Sequence, residues 1–503
     1  MLKAIKNVTV ILLIVKIIGF IKQSVIAAYF GANGATDTYM LVSELIESMG
    51  EVLFSSISVA FLAMYSDIKN NDKNKLSQFT SNTLLMGIPV AVAISLAVFV
   101  FSDYIAKLIA PGYSSEELAV VIRYLKILSF GVVCMFISSL CRAILDAEKH
   151  FLPSKFEGII KSIITILGCV LFGVTKGIDV LIVCILVYYV IADLYLLFCV
   201  FRSTDLKIKK PLKDRRLVNL LTLSIPLFIS NGSVYLHNIV DKAVGSSLEE
   251  GSISVLSYSS YLTNTIHSLI IGSICTVVFS YFCDFIAKKE YELLKTNAQK
   301  YIRIAVLVIT YIVVMAVICS EEIIQIVYGR GQFDQTAVLI TSNVLIIYSI
   351  GLIFMAARDI LIRVHYAYKD TKTTMINGVS GMLINICLSI ILAKFWGVYG
   401  IAVATTVSNG IIMLLSFITV KKYVNITTMR NVIYFIFPVL ITFFIVFICG
   451  RLIDMFMGTY GEIFSLIVKG FIGTALYIGV LYVCKSQDIL LGIKYLKSKY
   501  NKD

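Results

Sequence analysis

The sequence predicts an all-α polytopic membrane protein with about fourteen transmembrane helices, arranged as two repeated six-helix lobes plus a C-terminal helix pair. Three observations carry this reading. The 503 residues are 58% hydrophobic with a mean hydropathy of +0.90, well above the roughly 45–50% apolar usage of soluble domains. The apolar residues are gathered into runs, and a helix needs about 20 of them to cross a bilayer. The chain also repeats itself: shifted by 220 positions, "SFGVVCMFISSLCRAILDAEKHF" (129–151) lies over "SIGLIFMAARDILIRVHYAYKDT" (349–371). The shift matches Ser129 with Ser349, Gly131 with Gly351, Met135 with Met355, Ala147 with Ala367 and Lys149 with Lys369.

In chain order the predicted spans run approximately 8–29, 38–65, 79–109, 119–147, 156–175, 178–201, 217–245, 253–285, 301–328, 338–367, 373–395, 398–420, 431–452 and 463–484. The repeat divides them into an N-lobe, 1–201, a basic linker, 202–216, a C-lobe, 217–420, and a C-terminal pair with a basic tail, 421–503. The turns "LIAPGYSSEEL" and "IVYGRGQFDQTAV" occupy parallel places, each after a long helix. Parallel repeats of this size suggest alternating access around a site between lobes.

The gaps between spans alternate in charge. One set holds Lys3 and Lys6, then Lys69, Lys73 and Lys75, Lys149 and Lys155, the run from Arg202 to Arg216, Lys288 and Lys289, Lys369 and Lys372, Lys421 and Lys422, and the C-terminal lysines. The other set offers little beyond Lys176, Arg330, Lys394 and Arg451. Positive charge gathers on the cytoplasmic side of membrane proteins, so both termini are expected there. The first span has basic residues before it but no small-residue cleavage site, and reads as a retained helix rather than a signal peptide. The formal charge of +13 serves orientation, and no nucleic-acid partner is expected.

Enzyme chemistry finds no support. HExxH, GxSxG and Walker A patterns are absent from the sequence, as is a paired carboxylate in an extramembrane loop. The eleven cysteines are scattered through apolar runs without CxxC spacing, and read as small packing residues. His150, His237, His267 and His365 share no metal-ligand spacing. No cofactor or metal is expected, and without an ATP-using domain any driving force must be an ion gradient or the membrane potential.

The informative residues are charges inside the spans, where a lysine facing hydrocarbon is costly. "VKIIGFIKQSVIAAYFGANGATDTY" (15–39) holds Lys16 and Lys22 on the first span. Glu44, Glu47 and Glu51 on the second lie within about 60° of one another at 100° per residue, making one acidic face. The seventh span adds Asn231, His237, Asn238, Asp241 and Lys242, and the tenth Arg358, Asp359, Arg363 and His365. Together they predict a charged, water-filled chamber. Simpler readings stand beside this: pairing of Asp359 with Arg363 four residues on, snorkelling of Lys22 and Glu51 to an interface, and a capping or surface role for Asp241 and Lys242. Arg142, Asp146 and Glu148 read as a structural network at the end of the fourth span.

"KIIGFIKQSVIAAYFGANGATDTYM" resembles the signature joining the first two helices of the MurJ/MviN lipid II flippases, within the multidrug/oligosaccharidyl-lipid/polysaccharide exporter superfamily. "LIAPGY", "YGRGQFDQTAVLIT", "YAYKDTKTT" and "GVYGIAVATTVSN" fall where that family places similar phrases, so the resemblance covers about residues 10–425. It implies fourteen helices, two lobes around a cationic cavity, a last helix pair forming a groove for a polyprenyl tail, and location in the bacterial cell membrane. The implied activity is moving an undecaprenyl-pyrophosphate-linked cell-envelope saccharide, lipid II or a similar peptidoglycan precursor, from inner to outer leaflet, with cell-wall synthesis proteins as possible partners. On this resemblance Lys16 and Lys22 contact the pyrophosphate, helped by Arg358 and Arg363. Glu44, Glu47, Glu51, Asn238 and Asp241 line the cavity or couple an ion, and Asp37 matches a family position while also suiting a cap at the start of the second span. The chain departs from the family where the latter carries arginine in its second and eighth helices, placing Gly50 and Glu51 at the first position and Tyr261 at the other. Another lipid-linked glycan, an ion-coupled drug exporter of the same superfamily, and a non-transporting envelope scaffold are the competing readings; a membrane-embedded transferase would need a catalytic cluster that the sequence lacks.

Overall fold

The computed structural model describes residues 2–71, 73–204, 209–210, 215–424, 448 and 462–483. The thirteenth predicted span, Ile448 apart, the middle of the basic linker and the basic tail lie outside the described residues. These form helices and turns, with no strand among them. Nine of the described helices are long and apolar enough to cross a membrane, and a bent pair makes a tenth.

Two compact units divide the chain, one comprising Met1–Ser254 with Gly331–Asp334 and the other Val255–Arg330 with Gln335–Asp503. In the first, α1 (Leu2–Phe30) precedes α2 (Gly34–Gly50), a π-helical turn (Glu51–Ser55) and α3 (Ser56–Asn71), which together make the second predicted span. α4 (Lys73–Val100) and α5 (Ser102–Ile109) make the third, broken at Phe101; α6 (Ser115–Ser129) and α7 (Gly131–Ala147), bent by 41°, make the fourth. α8 (Phe151–Lys176), α9 (Asp179–Ser203) and α10 (Arg215–Gly245) follow. The repeat places α10 at the head of the second lobe, whereas by packing it belongs with α2, α3 and α5 of the first unit. Aromatic pairs sit in the mainly aliphatic core of this unit, with Phe61 stacked on Phe79 at 5.2 Å and Phe54 edge-on to Phe136 at 5.6 Å.

The second unit takes most of α11 (Ser252–Ala287), then α12 (Tyr291–Ile318) and α13 (Ser320–Val327), broken at Cys319, and α14 (Gln335–Ala367). α15 (Thr371–Val420) is broken at Gly397, whose φ of 55° a right-handed helix does not permit, and this break separates the eleventh predicted span from the twelfth. α16 (Glu462–Val483) is the last predicted span. One face of it is polar: Lys469 pairs with Glu322 of α13, Ser465 donates to the same carboxylate at 2.8 Å, and Tyr477 donates to the Leu307 carbonyl at 2.8 Å. Its opposite face presents Phe471, 77% exposed, and Ile467. Such outward apolar surface suits a bilayer as solvent and no aqueous one.

The duplication persists in the backbone. Three pairs of residues 220 apart hold a left-handed conformation: Gly31 and Gly251, Lys149 and Lys369, Gly177 and Gly397. At the lysine pair the chain closes its helix in the same way twice, His150 donating to Leu145 at 2.8 Å and Asp370 to His365 at 2.9 Å, the wrap that usually employs glycine. A non-glycine residue there costs roughly 1 kcal/mol. Lys369→Gly is therefore expected to raise the unfolding free energy by about that amount, read as a higher Tm in detergent; a lower Tm would mean that the lysine side chain contributes more than its strain costs.

Asp370 caps α15, accepting from Thr373 N at 3.1 Å and from the Tyr423 hydroxyl at 2.9 Å, with His365 Nδ1 at 3.3 Å. Burial opposes its charge, but these hydrogen bonds outweigh it and hold the carboxyl well below the usual carboxylate range. A depressed folded-state pKa stabilises above the unfolded value, so this contribution is complete at neutral pH and disappears only in strong acid.

Candidate functional site

Helical spacing builds a charged cavity in the first unit. On α7, Met135, Ser138 and Arg142 fall three and four residues apart and share a face, as do Glu157, Gly158 and Lys161 on α8. Glu47, Gly50 and Glu51 come from the end of α2 and its π-helical turn, and Tyr188 and Tyr189 from α9. They enclose about 370 Å³. π-helical turns recur at functional sites because the inserted residue re-aims its neighbours; here Gly50 lets α7 approach, since a β-carbon on it would lie 2.4 Å from the Met135 sulfur.

Charge in the cavity is paired. Lys161 Nζ contacts Glu47 and stands 5.2 Å from the centre of the Tyr188 ring, and Arg142 donates to Glu157 at 2.6 Å. Lys22 is an electrostatic neighbour of both Lys161 and Glu47, and Glu51 of Arg142. Three lining carboxylates against two lining bases leave an acidic excess. Behind Ser138, the buried Asp193 accepts from that hydroxyl. Close by, Glu44 pairs with Lys242, whose ammonium also reaches the Met40 carbonyl at 3.3 Å, with Asn238 beside them and Asp241 buried. Lys242 thus bridges α10 to α2 from a buried position rather than the surface.

Asp37 stands apart from this cluster. Buried, it accepts from Gly251 N at 2.8 Å and from Ser254 N at 2.7 Å and Oγ at 2.5 Å, so it caps the start of α11. The start of the second span is capped instead by Asn33, which accepts from Thr36 N at 3.1 Å. Lys16 is half-buried, and among the described residues no carboxylate is paired with it. Arg358 and Arg363 lie in the second unit. Asp359 pairs there with the adjacent Arg358 at 2.9 Å and with His267 at 3.0 Å, not with Arg363, while Arg358 also donates to Asn409 at 2.9 Å. Arg363 lies 5.8 Å from the Tyr366 ring centre. The structure thus brings Glu47 and Glu51 to one cavity, sets Lys22 within electrostatic reach of Glu47, and leaves Lys16, Asp37, Arg358 and Arg363 out of its lining.

A family model described as lipid II flippase MurJ matches residues 26–470. The chain belongs to that family. A probable lipid II flippase MurJ of Buchnera aphidicola subsp. Baizongia pistaciae is 27% identical over 431 residues, covering 82% of this chain and 81% of its own. One of Thermotoga maritima is 25% identical over 396 residues, covering 78% and 80%. Among solved structures, a lipid II flippase MurJ in an inward closed conformation superposes with a TM-score of 0.82 at 24% identity, covering 95% of this chain and 98% of its own. An inward-facing multidrug resistance transporter of the MATE family, in the MOP superfamily, gives 0.71 at 14% identity, covering 82% and 97%. The protein is therefore a multi-pass membrane transporter of a flippase family, not an enzyme, and its fold is that of MurJ.

For a MurJ-family chain the cavity yields residues that the sequence reading passed over. Lys161 and Glu157 lie in or at the edge of the fifth predicted span, and the rule applied to Lys16, a charge inside an apolar run, would have found Lys161. Arg142 was expected in a structural network with Asp146 and Glu148. Glu148 does join one, with Lys69 at 2.5 Å and Tyr65 at 2.8 Å, and Asp146 takes Ser154 at 3.3 Å. Arg142 turns to the cavity instead.

Proposed function

We propose that this protein moves an undecaprenyl-pyrophosphate-linked peptidoglycan precursor, lipid II or a close relative, from the inner to the outer leaflet of a bacterial cell membrane by alternating access. The family match over residues 26–470 carries this reading, and the basic groups that face the cavity within the spans support it, because such groups mark anionic or water-filled paths. Lys16 and Lys22 draw the pyrophosphate in, with Arg358 and Arg363 as further basic groups. Glu44, Glu47 and Glu51, with Asn238 and Asp241, compensate the bases when the path is empty or take up a coupling ion. The membrane potential or an ion gradient drives the cycle without a cofactor, and both termini face the cytoplasm. Cell-wall synthesis proteins that use the product are the natural partners.

One observation favours a second reading, a different lipid-linked glycan: the acidic excess of the cavity, with Glu51 beside Gly50 where the resemblance leads one to expect arginine. The test is complementation. A bacterial host depleted of its own lipid II flippase and expressing this chain should show lipid II in the outer leaflet, and Lys22→Gln should reduce it at least tenfold. A well-inserted protein that leaves lipid II inside overturns the lipid II reading and favours the other glycan.

A further inference from the structure

We infer that Arg142 and Lys161 form a diphosphate-binding subsite within the first unit, and that Glu47 is its exchangeable counter-ion. The inference rests on the flippase reading for the identity of the natural ligand, and on the cavity for everything else.

Two bases from different helices, α7 and α8, project into one space of about 370 Å³, within the roughly 300–1,000 Å³ of small-molecule sites. Arginine suits a phosphate because its planar fork offers paired donors, and lysine adds a mobile point charge. Tyr188 fixes the approach of that charge. Both bases stay reachable. The side chains of Arg142 and Lys161 are 31% and 24% exposed, whereas Lys469, in the ion pair that fastens α16, is 3% exposed. The first two pairs face a space that a solute can enter; the third is sealed.

An arriving diphosphate must find its bases without leaving a carboxylate uncompensated, since an unpaired charge in a spanning segment is expensive. Arg142 has five donors and can hold Glu157 and a phosphate oxygen together. Lys161 has one charge centre and must choose. Glu47 can release it because Lys22 and Lys242 also act on that carboxylate. Lys161 therefore swings from Glu47 to the anion, and Glu47 stays within the field of Lys22 and Lys242. On release the Lys161–Glu47 pair re-forms, which prevents the product from being held. No bond is made or broken covalently; one ion pair is exchanged for another.

This assignment predicts effects of opposite sign from two neighbouring residues. With the full chain in nanodiscs and inorganic pyrophosphate as the probe, Lys161→Gln should weaken binding by about tenfold, since a charge-assisted contact is lost. Glu47→Gln should tighten it several-fold, because the competitor is gone, and should slow lipid II flipping by delaying release. Lys161→Arg should keep binding near the native level, which separates loss of the contact from loss of the fold. Equal effects of the two glutamine substitutions, or pyrophosphate binding indifferent to both, overturn the subsite. Failure of the flippase reading looks different: the opposite-signed effects on pyrophosphate remain while lipid II is not moved, and the subsite stands with another diphosphate ligand.

Discussion

Replacing Lys469 by methionine alone is expected to destabilise the docking of α16 by about 3–5 kcal/mol, whereas replacing Lys469 and Glu322 together is expected to restore most of the loss. The side chains are 3% and 11% exposed, so the single change strands a carboxylate in a spanning region with, among the described residues, the Ser465 hydroxyl at 2.8 Å for compensation. Removing both partners removes the stranded charge and leaves apolar volume. Tyr311 and Thr474, in contact at 2.8 Å, and Tyr477 on the Leu307 carbonyl hold the helix in either case. A double-mutant cycle on thermal unfolding in detergent measures the coupling. Additive losses from the two single substitutions would show that the pair is not coupled and that packing alone fastens α16.

Removing the Asp37 carboxylate is expected to be nearly as severe. It accepts from two backbone amides and a hydroxyl at the first turn of α11, all of them buried. Hydrogen bonds to a charged group contribute roughly 1.5–3 kcal/mol each, and donors left without an acceptor cost more. Asp37→Ala should therefore lower stability by about 3 kcal/mol or more. Asp37→Asn keeps one acceptor oxygen and should lose about half as much. Thermal unfolding of both variants checks this, with flipping as the second readout. An asparagine variant indistinguishable from the native protein in both would reduce the carboxylate to a space-filler.

The contrast between these two sites shows what the sequence makes legible. Apolar runs and basic gaps mark the spans well, because a bilayer imposes length and composition on each segment separately. The predicted spans 373–395 and 398–420 meet at the break the structure places at Gly397. A charge inside a run likewise announces itself, as Lys22 and Glu47 do. Its partner does not. Glu47 and Lys161 are 114 residues apart, and Asp37 reaches a helix start 217 residues on. Nothing local encodes such pairings. Local spacing can also mislead: Arg363 is one turn from Asp359, yet Arg358 and His267 take that carboxylate because their side chains are aimed at it. Arg142 was hidden for a related reason, since a base near a span end has an ordinary role available, and only its partner on α8 reveals the other.

The paired left-handed residues, 220 positions apart, bear on how such a chain could arise. Gly31, Lys149 and Gly177 sit where one half reverses direction, and Gly251, Lys369 and Gly397 where the other does. Were each half to cross six times, as the sequence predicts, it would start and finish on the same side of the bilayer. Two copies fused head to tail then need no inversion and no added crossing; a short polar linker suffices. The side chains between these corners differ: one half holds Glu47, Arg142, Glu157 and Lys161 and the other His267, Arg358 and Asp359. Three pairs of corners are kept in both halves, whereas Lys289 and Gly331 are left-handed with no left-handed counterpart at Lys69 and Pro111.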